Sequence, residues 1–385
     1  MTTGILERLV DIGGSFDLPA LVRRVAETAR PAWTTALPAD RARALRRLVV
    51  SGCGDSLFAA ISARLALERF SGLSCEPMDA LECGRYAAMR FGPDVLVLGI
   101  SNSGTTSRVI ESIVLAARAG AATLALTGAP ASPLERVAGA AVIRPVVGAG
   151  EREGPTARVE RHLGEYIGTL AALFHLALWL GEARGLMGER DAREQTEAIE
   201  AAATAAQQAL VDSPPQVARV LEYLRNTDRV FYLGAGPSYG TALFGAAKLV
   251  EEVPMCSVPQ RLEEWAHLEY FLTVIEGERT RAVVVAPSGE SIDRAVEILH
   301  AIREDRGIAV AVTHAREDAV RRAAAAAIVV DGSVWEGYAP MPYAVPVQLL
   351  GIALALHRGQ SVVPLNRRDS GRLIRGSAVR GLPQA

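Results

Sequence analysis

Val95–Thr106 reads VLVLGISNSGTT, and its reading decides the fold. Val95 to Ile100 is an apolar run of strand length with no polar alternation. That is the pattern of a strand buried on both faces of a parallel sheet. The run stops at Ser101-Asn102-Ser103-Gly104-Thr105-Thr106. RVIESIVLAARAG then spaces Val109, Ile110, Ile113, Val114 and Ala117 as one face of a helix. A strand therefore feeds a hydroxyl-rich turn, and the turn opens a helix. The first N–H groups of a helix have no internal partner and carry the positive end of its dipole. A phosphate placed there accepts backbone and hydroxyl bonds together. A single Ser or Thr before a helix is ordinarily a cap. Four hydroxyls with Asn102 and Gly104 in six positions point instead to an anion site.

The same order of elements flanks this stretch. Upstream, RRLVVSGCGDS followed by LFAAISARLALERF gives strand, glycine turn and helix, with Ser56 placed to aim a hydroxyl at an anion. A short strand at Ser74–Pro77 and strand candidates in ATLALTG and AAVIRPVVG complete residues 46–155 as a doubly wound parallel-sheet domain. Residues 1–45 read as a peripheral helical segment, broken at Gly13-Gly14 and Pro31. Residues 156–225 read as linker helices. Leu163, Ile167, Leu170, Leu173, Leu176 and Leu180 fall at helical spacing, and QTEAIEAAATAAQQALVD ends before Pro214-Pro215. Residues 226–360 then repeat the first domain. Gly234, Gly236 and Ser238 stand where Gly52, Gly54 and Ser56 stood, and Ser288-Gly289 stand where Ser103-Gly104 stood. A period of about 180 residues is a duplicated domain rather than a solenoid. The second copy has Pro287-Ser288-Gly289-Glu290 at its turn, with fewer hydroxyls and an acid that repels phosphate. The first copy is the expected anion binder. Residues 361–385 form a C-terminal tail.

Composition excludes several classes. Lys and Arg total 41 against 43 Asp and Glu, for a formal charge of −2 and no long basic run. A nucleic-acid binder held by phosphate neutralisation is not expected. The four cysteines show no CxxC spacing and read as free thiols of a reducing compartment. The start, MTTGILERLVDIGGSFD, has no apolar signal core. The most apolar helix, Leu170–Leu180, is too short to span a bilayer and contains His175. A soluble cytoplasmic protein without a membrane partner follows as the expectation. Gly52-Cys53-Gly54 lacks the third glycine of the dinucleotide fingerprint, so NAD is not expected; no other cofactor and no metal is expected either.

GCGDS, ISNSGTT, GAAKLVEE, EEWAHLEY and PYAVPVQLLG, spread over about residues 45–370, carry a family resemblance. The chain resembles the sugar isomerase (SIS) domain family. Its layout is that of double-SIS proteins such as the isomerase half of glucosamine-6-phosphate synthase and stand-alone sugar-phosphate deaminases and deglycases. The resemblance implies two flavodoxin-like sheets in tandem, a phosphorylated sugar or amino sugar as substrate, and a homodimer. It implies that Ser101, Asn102, Ser103 and Thr106 hold the phosphate, helped by Ser56. It gives Glu251 the proton transfer between C1 and C2, places Lys248 one turn earlier, and gives His267 a part in ring opening. Glu264 matches the family's acid in the same segment. The chemistry suits these types: a carboxylate abstracts a proton alpha to a carbonyl or imine, a cation stabilises the enediol, and an imidazole titrates near neutral pH. From the residues alone, Lys248 and Glu251 also fit a solvated surface ion pair, and His267 beside Trp265 also fits a satisfied core histidine.

Three departures from the family bear on the reaction. The chain begins Met-Thr-Thr with no Cys at position 2, so glutamine-dependent transfer by the chain itself is not expected. In SVVPLNRRDSGRLIRG, Asp369 stands where the family has a Lys, with Arg367 or Arg368 as candidate substitutes. EREGPTAR replaces a Ser-Thr-Lys run, leaving Thr156 as a remnant. These features favour isomerisation, deamination or deglycation of a phosphosugar over amide transfer. The alternative from another class is a phosphosugar-binding regulator without catalysis. The joint presence of Glu251 and His267 favours the enzyme.

Overall fold

The computed structural model describes residues 2–13, 16–146, 155–253, 255–359 and 377–382. Strands β1 (Arg47–Gly52), β2 (Ser74–Asp79), β3 (Val95–Ile100), β4 (Ala122–Thr127) and β5 (Ala140–Ile143) form one sheet in the order β2-β1-β3-β4-β5. Strands β6 (Arg229–Gly234), β7 (Cys256–Arg261), β8 (Arg281–Ala286), β9 (Ile308–His314) and β10 (Ala326–Val330) form another in the order β10-β9-β8-β6-β7. Every pairing is parallel, with Val49 opposite Val97 in the first sheet and Tyr232 opposite Val283 in the second. Read from the second strand of each copy, the two orders are the same. The chain is thus a tandem pair of doubly wound parallel α/β domains, as the repeat predicts. All six residues of β3 are buried, which is why that strand shows no alternation. The edge strands β2 and β7 each carry a proline, Pro77 and Pro259, where a missing N–H costs no ladder bond on the open side.

The described residues divide into two compact units. The first holds residues 20–146, 165–199 and 377–382, and the second holds the rest. In the first, helix Ser107–Arg118 sets Val109 and Ile113 into a core with Val49, Val97 and Leu134. Gly99 permits this approach, because a Cβ there would collide with Ile113. In the second, Leu299 and Ile302 of helix Ile292–Glu304 pack with Phe231, Val284 and Trp265.

Three expectations are corrected. Helix Leu18–Ala36 runs through Pro31, and helix Glu189–Leu224 runs through Pro214-Pro215. An interior proline costs about 3 kcal/mol or more, but both helices are held beyond it by packing. Trp33 is buried and donates Nε1 to Ala172 O at 3.0 Å. Gln216 bonds Val329 through both its amide atoms, and Val217, Leu221 and Leu224 are buried. The third correction concerns the apolar segment Leu170–Leu180, which belongs to a 29-residue helix, Pro155–Ala183. Thr156–Ala183 and Pro340–His357 are each long and apolar enough to cross a membrane, yet 89% of each apolar window is buried within the fold. They are core helices. Arg367, Arg368 and Asp369 lie outside the described residues, and Thr156 lies in the first turn of helix Pro155–Ala183.

Candidate active site

Strand order in the first sheet reverses between β1 and β3, and open parallel sheets take ligands at the carboxyl ends of such strands. Two helices start there. Helix Asp55–Ser71 follows Gly54, which has φ 55°, and helix Ser107–Arg118 follows Thr106. Neither start is capped by a side chain. The hydroxyls of Ser101–Thr106 therefore do not cap the helix. They pair with one another, Ser101 Oγ with Thr106 Oγ1 at 2.9 Å and Ser103 Oγ with Thr105 Oγ1 at 2.8 Å. Ser101 is buried, Asn102 and Thr106 are half-buried, and Ser103 and Thr105 are exposed. Gly104 has φ 62° and donates to Ser101 O at 3.0 Å, and a Cβ there would collide with Ser132. Only glycine fits this position. Ser56 is half-buried in the first turn of helix Asp55–Ser71, and Gly52 lets that turn close onto β1.

Asn102 ties the turn to the sheet. Its backbone carbonyl accepts from Gly128 N at 3.0 Å and Thr127 Oγ1 at 3.2 Å, and its Oδ1 accepts from Arg144 Nη2 at 2.6 Å. Arg144 leaves the end of β5 and is buried, 3% exposed. Burial pushes its guanidinium down to about 10, against the pull of Glu165. The sequence reading missed Arg144. The available signal was a lone arginine ending the apolar run AAVI, at a strand end of a parallel sheet.

The second unit holds a titratable cluster of its own. On helix Pro237–Glu252, Lys248 is fully buried over the Phe244 ring, 4.9 Å from its centroid. Its Nζ donates to Glu251 Oε2 at 2.7 Å, and the Glu251 side chain is 45% exposed. The pair is therefore not a solvated surface bridge: a buried ammonium holds a carboxylate at the protein surface. Glu252, on the same helix face as Lys248, is buried with Arg158 Nη1 at 3.2 Å and His162 Nδ1 at 3.4 Å. Burial pushes the Glu252 carboxyl up more than Arg158 and Lys248 pull it down. Burial, with the charges of Lys248, Arg158 and Arg161, drives the His162 imidazole well below its ordinary value. A protonatable carboxyl thus sits beside a neutral imidazole. Sequence reasoning stopped at Glu251 and missed Glu252, though its i, i+4 spacing from Lys248 was legible.

His267 and Glu264 stand apart. His267 ends the short helix Leu262–His267, its side chain 71% exposed and its Nε2 3.0 Å from Glu263 Oε1. Glu263 also binds Arg294, and Glu264 is exposed. No described bond joins His267 to Lys248 or Glu251. It is not a core histidine either, since the residue buried in that segment is Trp265.

Comparison with known proteins bears on this geometry. Residues 43–148 match the family model described as SIS domain. The chain is 28% identical over 334 residues to a glutamine–fructose-6-phosphate aminotransferase [isomerizing] of Bradyrhizobium diazoefficiens, covering 86% of this chain and 52% of that protein. The chain spans about half the length of the curated relatives it matches. Among solved structures, the C-terminal domain of glucosamine-fructose-6-phosphate aminotransferase from Francisella tularensis superposes with a TM-score of 0.74 at 19% identity, covering 90% of this chain and 98% of that one. The tagatose-6-phosphate ketose/aldose isomerase of Escherichia coli gives 0.71 at 17% identity, covering 94% and 95%.

Proposed function

We propose that this protein, whose residues 43–148 match the SIS domain family model, is an enzyme that holds a sugar phosphate on Ser101–Thr106 and isomerises, deaminates or deglycates the sugar. The observation that carries the reading is the uncapped helix start beneath a hydroxyl turn at the strand-order reversal. The hydroxyls of Ser103 and Thr105 rotate from each other to phosphate oxygens, and Ser101 supports Thr106 from below. Arg144 fixes Asn102 and adds positive potential. Ser56 contributes from the neighbouring turn.

In the proton step, Glu251 abstracts the proton alpha to the carbonyl or imine, and Lys248 stabilises the negative charge that develops. Retention of a buried ammonium beside a half-exposed carboxylate supports these roles. His267 assists ring opening. The activities for which the relatives are named, an isomerising aminotransferase and a ketose/aldose isomerase, support the substrate class. The test is incubation with a panel of hexose and amino-hexose 6-phosphates, following ammonia release and aldose–ketose exchange. Absence of both binding and turnover across the panel sinks the reading.

The exposure of His267 favours a second reading, a phosphosugar-binding regulator without chemistry. Tight binding with no proton exchange in D₂O is its signature. The same segment supports a homodimer. Beyond the buried Trp265, Leu268, Phe271 and Ile275 are 62%, 62% and 81% exposed. A second copy covering them removes that apolar surface from water and gives His267 a partner subunit's sugar to act on. A fully active monomer in sedimentation at micromolar concentration contradicts the dimer. Four free thiols fit the reducing cytoplasm.

A further inference from the structure

The carboxyl ends of β8, β9 and β10 enclose a cavity of about 320 Å³ in the second domain. Glu336, from the loop after β10, lies where a bound anion lies in a turn of this kind. The Glu290 N–H donates to its Oε2 at 3.1 Å. A Cβ on Gly289 would collide with its carboxyl, and a Cβ on Gly236, the glycine of φ 50° after β6, would stand 3.8 Å from its Oε1. Glu336 therefore rests against the glycine turns of β6 and β8, where the strand order of the second sheet reverses. The protein fills this cradle with its own carboxylate.

That arrangement leaves the cavity with two unlike ends. At one, Glu336 is half-buried and Glu290 exposed, and no described Lys, Arg or His pairs with either. Burial pushes the Glu336 carboxyl up, the Glu290 N–H draws it down, and the charge of Glu290 pushes it up again. A half-buried acid short of positive charge is stabilised by a cation that enters beside it. At the other end, over β9 and β10, Arg316 donates Nη2 to Ser333 Oγ at 3.0 Å and Nε to His314 Nδ1 at 3.2 Å. No described carboxylate pairs with its guanidinium. Trp335 and Tyr343 complete the wall. A volume near the low end for ligand pockets admits a small metabolite.

We propose that this cavity binds a small zwitterion, its ammonium against Glu336 and Glu290 and its acidic group against Arg316. A free α-amino acid and an amino-sugar phosphate share that chemistry, and the experiment separates them. The site is distinct from the hydroxyl turn of the first domain and does not rest on the function proposed for it.

Calorimetry on the full chain carrying Ser103→Ala and Thr106→Ala isolates the cavity. The probes are glycine, glutamine, glucosamine 6-phosphate, glucosamine and fructose 6-phosphate. Expected is binding of either the amino acids or glucosamine 6-phosphate, whichever is the source, with glucosamine and fructose 6-phosphate at least about tenfold weaker. Glu336→Gln and Arg316→Met each lower the affinity about tenfold or more, with unchanged thermal melts. Three outcomes overturn the proposal: no zwitterion binds, either variant binds as wild type, or Glu336→Gln gains affinity for fructose 6-phosphate while zwitterion binding stays unchanged. Fructose 6-phosphate retained at full strength by the Ser103→Ala/Thr106→Ala protein instead counts against the phosphate turn of the first domain, so the two failures are distinguishable.

Discussion

The turns after β3 and β8 occupy the same place in two copies of one sheet. In the first, Ser103 and Thr105 keep exposed hydroxyls, and the helix start has no side-chain cap. In the second, Ser288 donates its hydroxyl to Glu317, and Glu336 lies across Gly289 and takes the Glu290 N–H. Topology is shared while the electrostatics are reversed. Duplication preserved the backbone that makes an anion cradle, down to Gly54 at φ 55° and Gly236 at φ 50°. A few side chains then decided whether the cradle stays open. Function belongs to the site and not to the fold that carries it.

The largest expected effect tests whether the second domain contributes chemistry. Glu251→Gln keeps shape and removes basicity, so kcat falls roughly 10²–10⁴-fold with phosphosugar affinity nearly unchanged. The assay is C2 proton exchange in D₂O, wild type beside variant. Exchange at the wild-type rate moves the role to Glu252, Glu264 or His267.

The open turn is broken next. Ser103→Ala with Thr106→Ala removes two hydrogen bonds to a charged ligand, for a loss of about 100-fold in fructose 6-phosphate affinity by calorimetry. Unchanged affinity shows that the hydroxyls do not hold the phosphate.

A third test compares the acid response of the two units. His175, 1% exposed in the first unit, has no described partner at either ring nitrogen. Burial, with a contribution from Arg30, drives its pKa from 6.5 down to about 4. Between those values the unfolded chain takes up a proton that the folded chain refuses. Stability is therefore lost as pH falls through that window, by about 3 kcal/mol once it is crossed. In the second unit the depressed His162 imidazole works in the same sense and the raised Glu252 carboxyl beside it in the opposite sense, the folded state holding that carboxyl proton to higher pH than the unfolded chain does. Hydrogen exchange should show the first unit losing protection as pH falls from 6.5 towards 4, and His175→Leu should remove most of that loss while leaving the second unit's profile unchanged. An unaltered pH profile in the variant rules His175 out as the cause.

Thr105→Glu makes the first turn resemble the second. Thr105 is exposed, so stability should hold while like-charge repulsion costs about tenfold in fructose 6-phosphate affinity at low salt. The smallest effect belongs to Ser288→Ala, whose hydroxyl is already committed to Glu317. Fructose 6-phosphate affinity should change less than about twofold. A larger drop would mean that the second turn also meets phosphate.

Much of the architecture was legible because its causes are local or repeated. Residues buried on both faces make β3 uniformly apolar, glycines mark turns that need positive φ, and the repetition of Gly52, Gly54 and Ser56 as Gly234, Gly236 and Ser238 announces two copies. Helix ends at Pro31 and Pro214 were misread because propensity counts the lost N–H and not the packing that offsets it. Lys248 and Glu251 were legible as a pair, but not as a pair with one member fully buried.

The sequence by itself determined the doubly wound order, the duplication, and the crowding of hydroxyls at one of two equivalent turns, since each follows from spacing along the chain. Only the tertiary structure decided that Arg144 stands behind Asn102, that Glu252 rather than Glu251 is the buried acid beside Lys248, and that Glu336 closes the second cradle. Each of these depends on residues many positions apart meeting in a shared low-dielectric space, or on which face of a helix is turned inward. Burial sets the strength of a charge, and burial is a property of the packed chain.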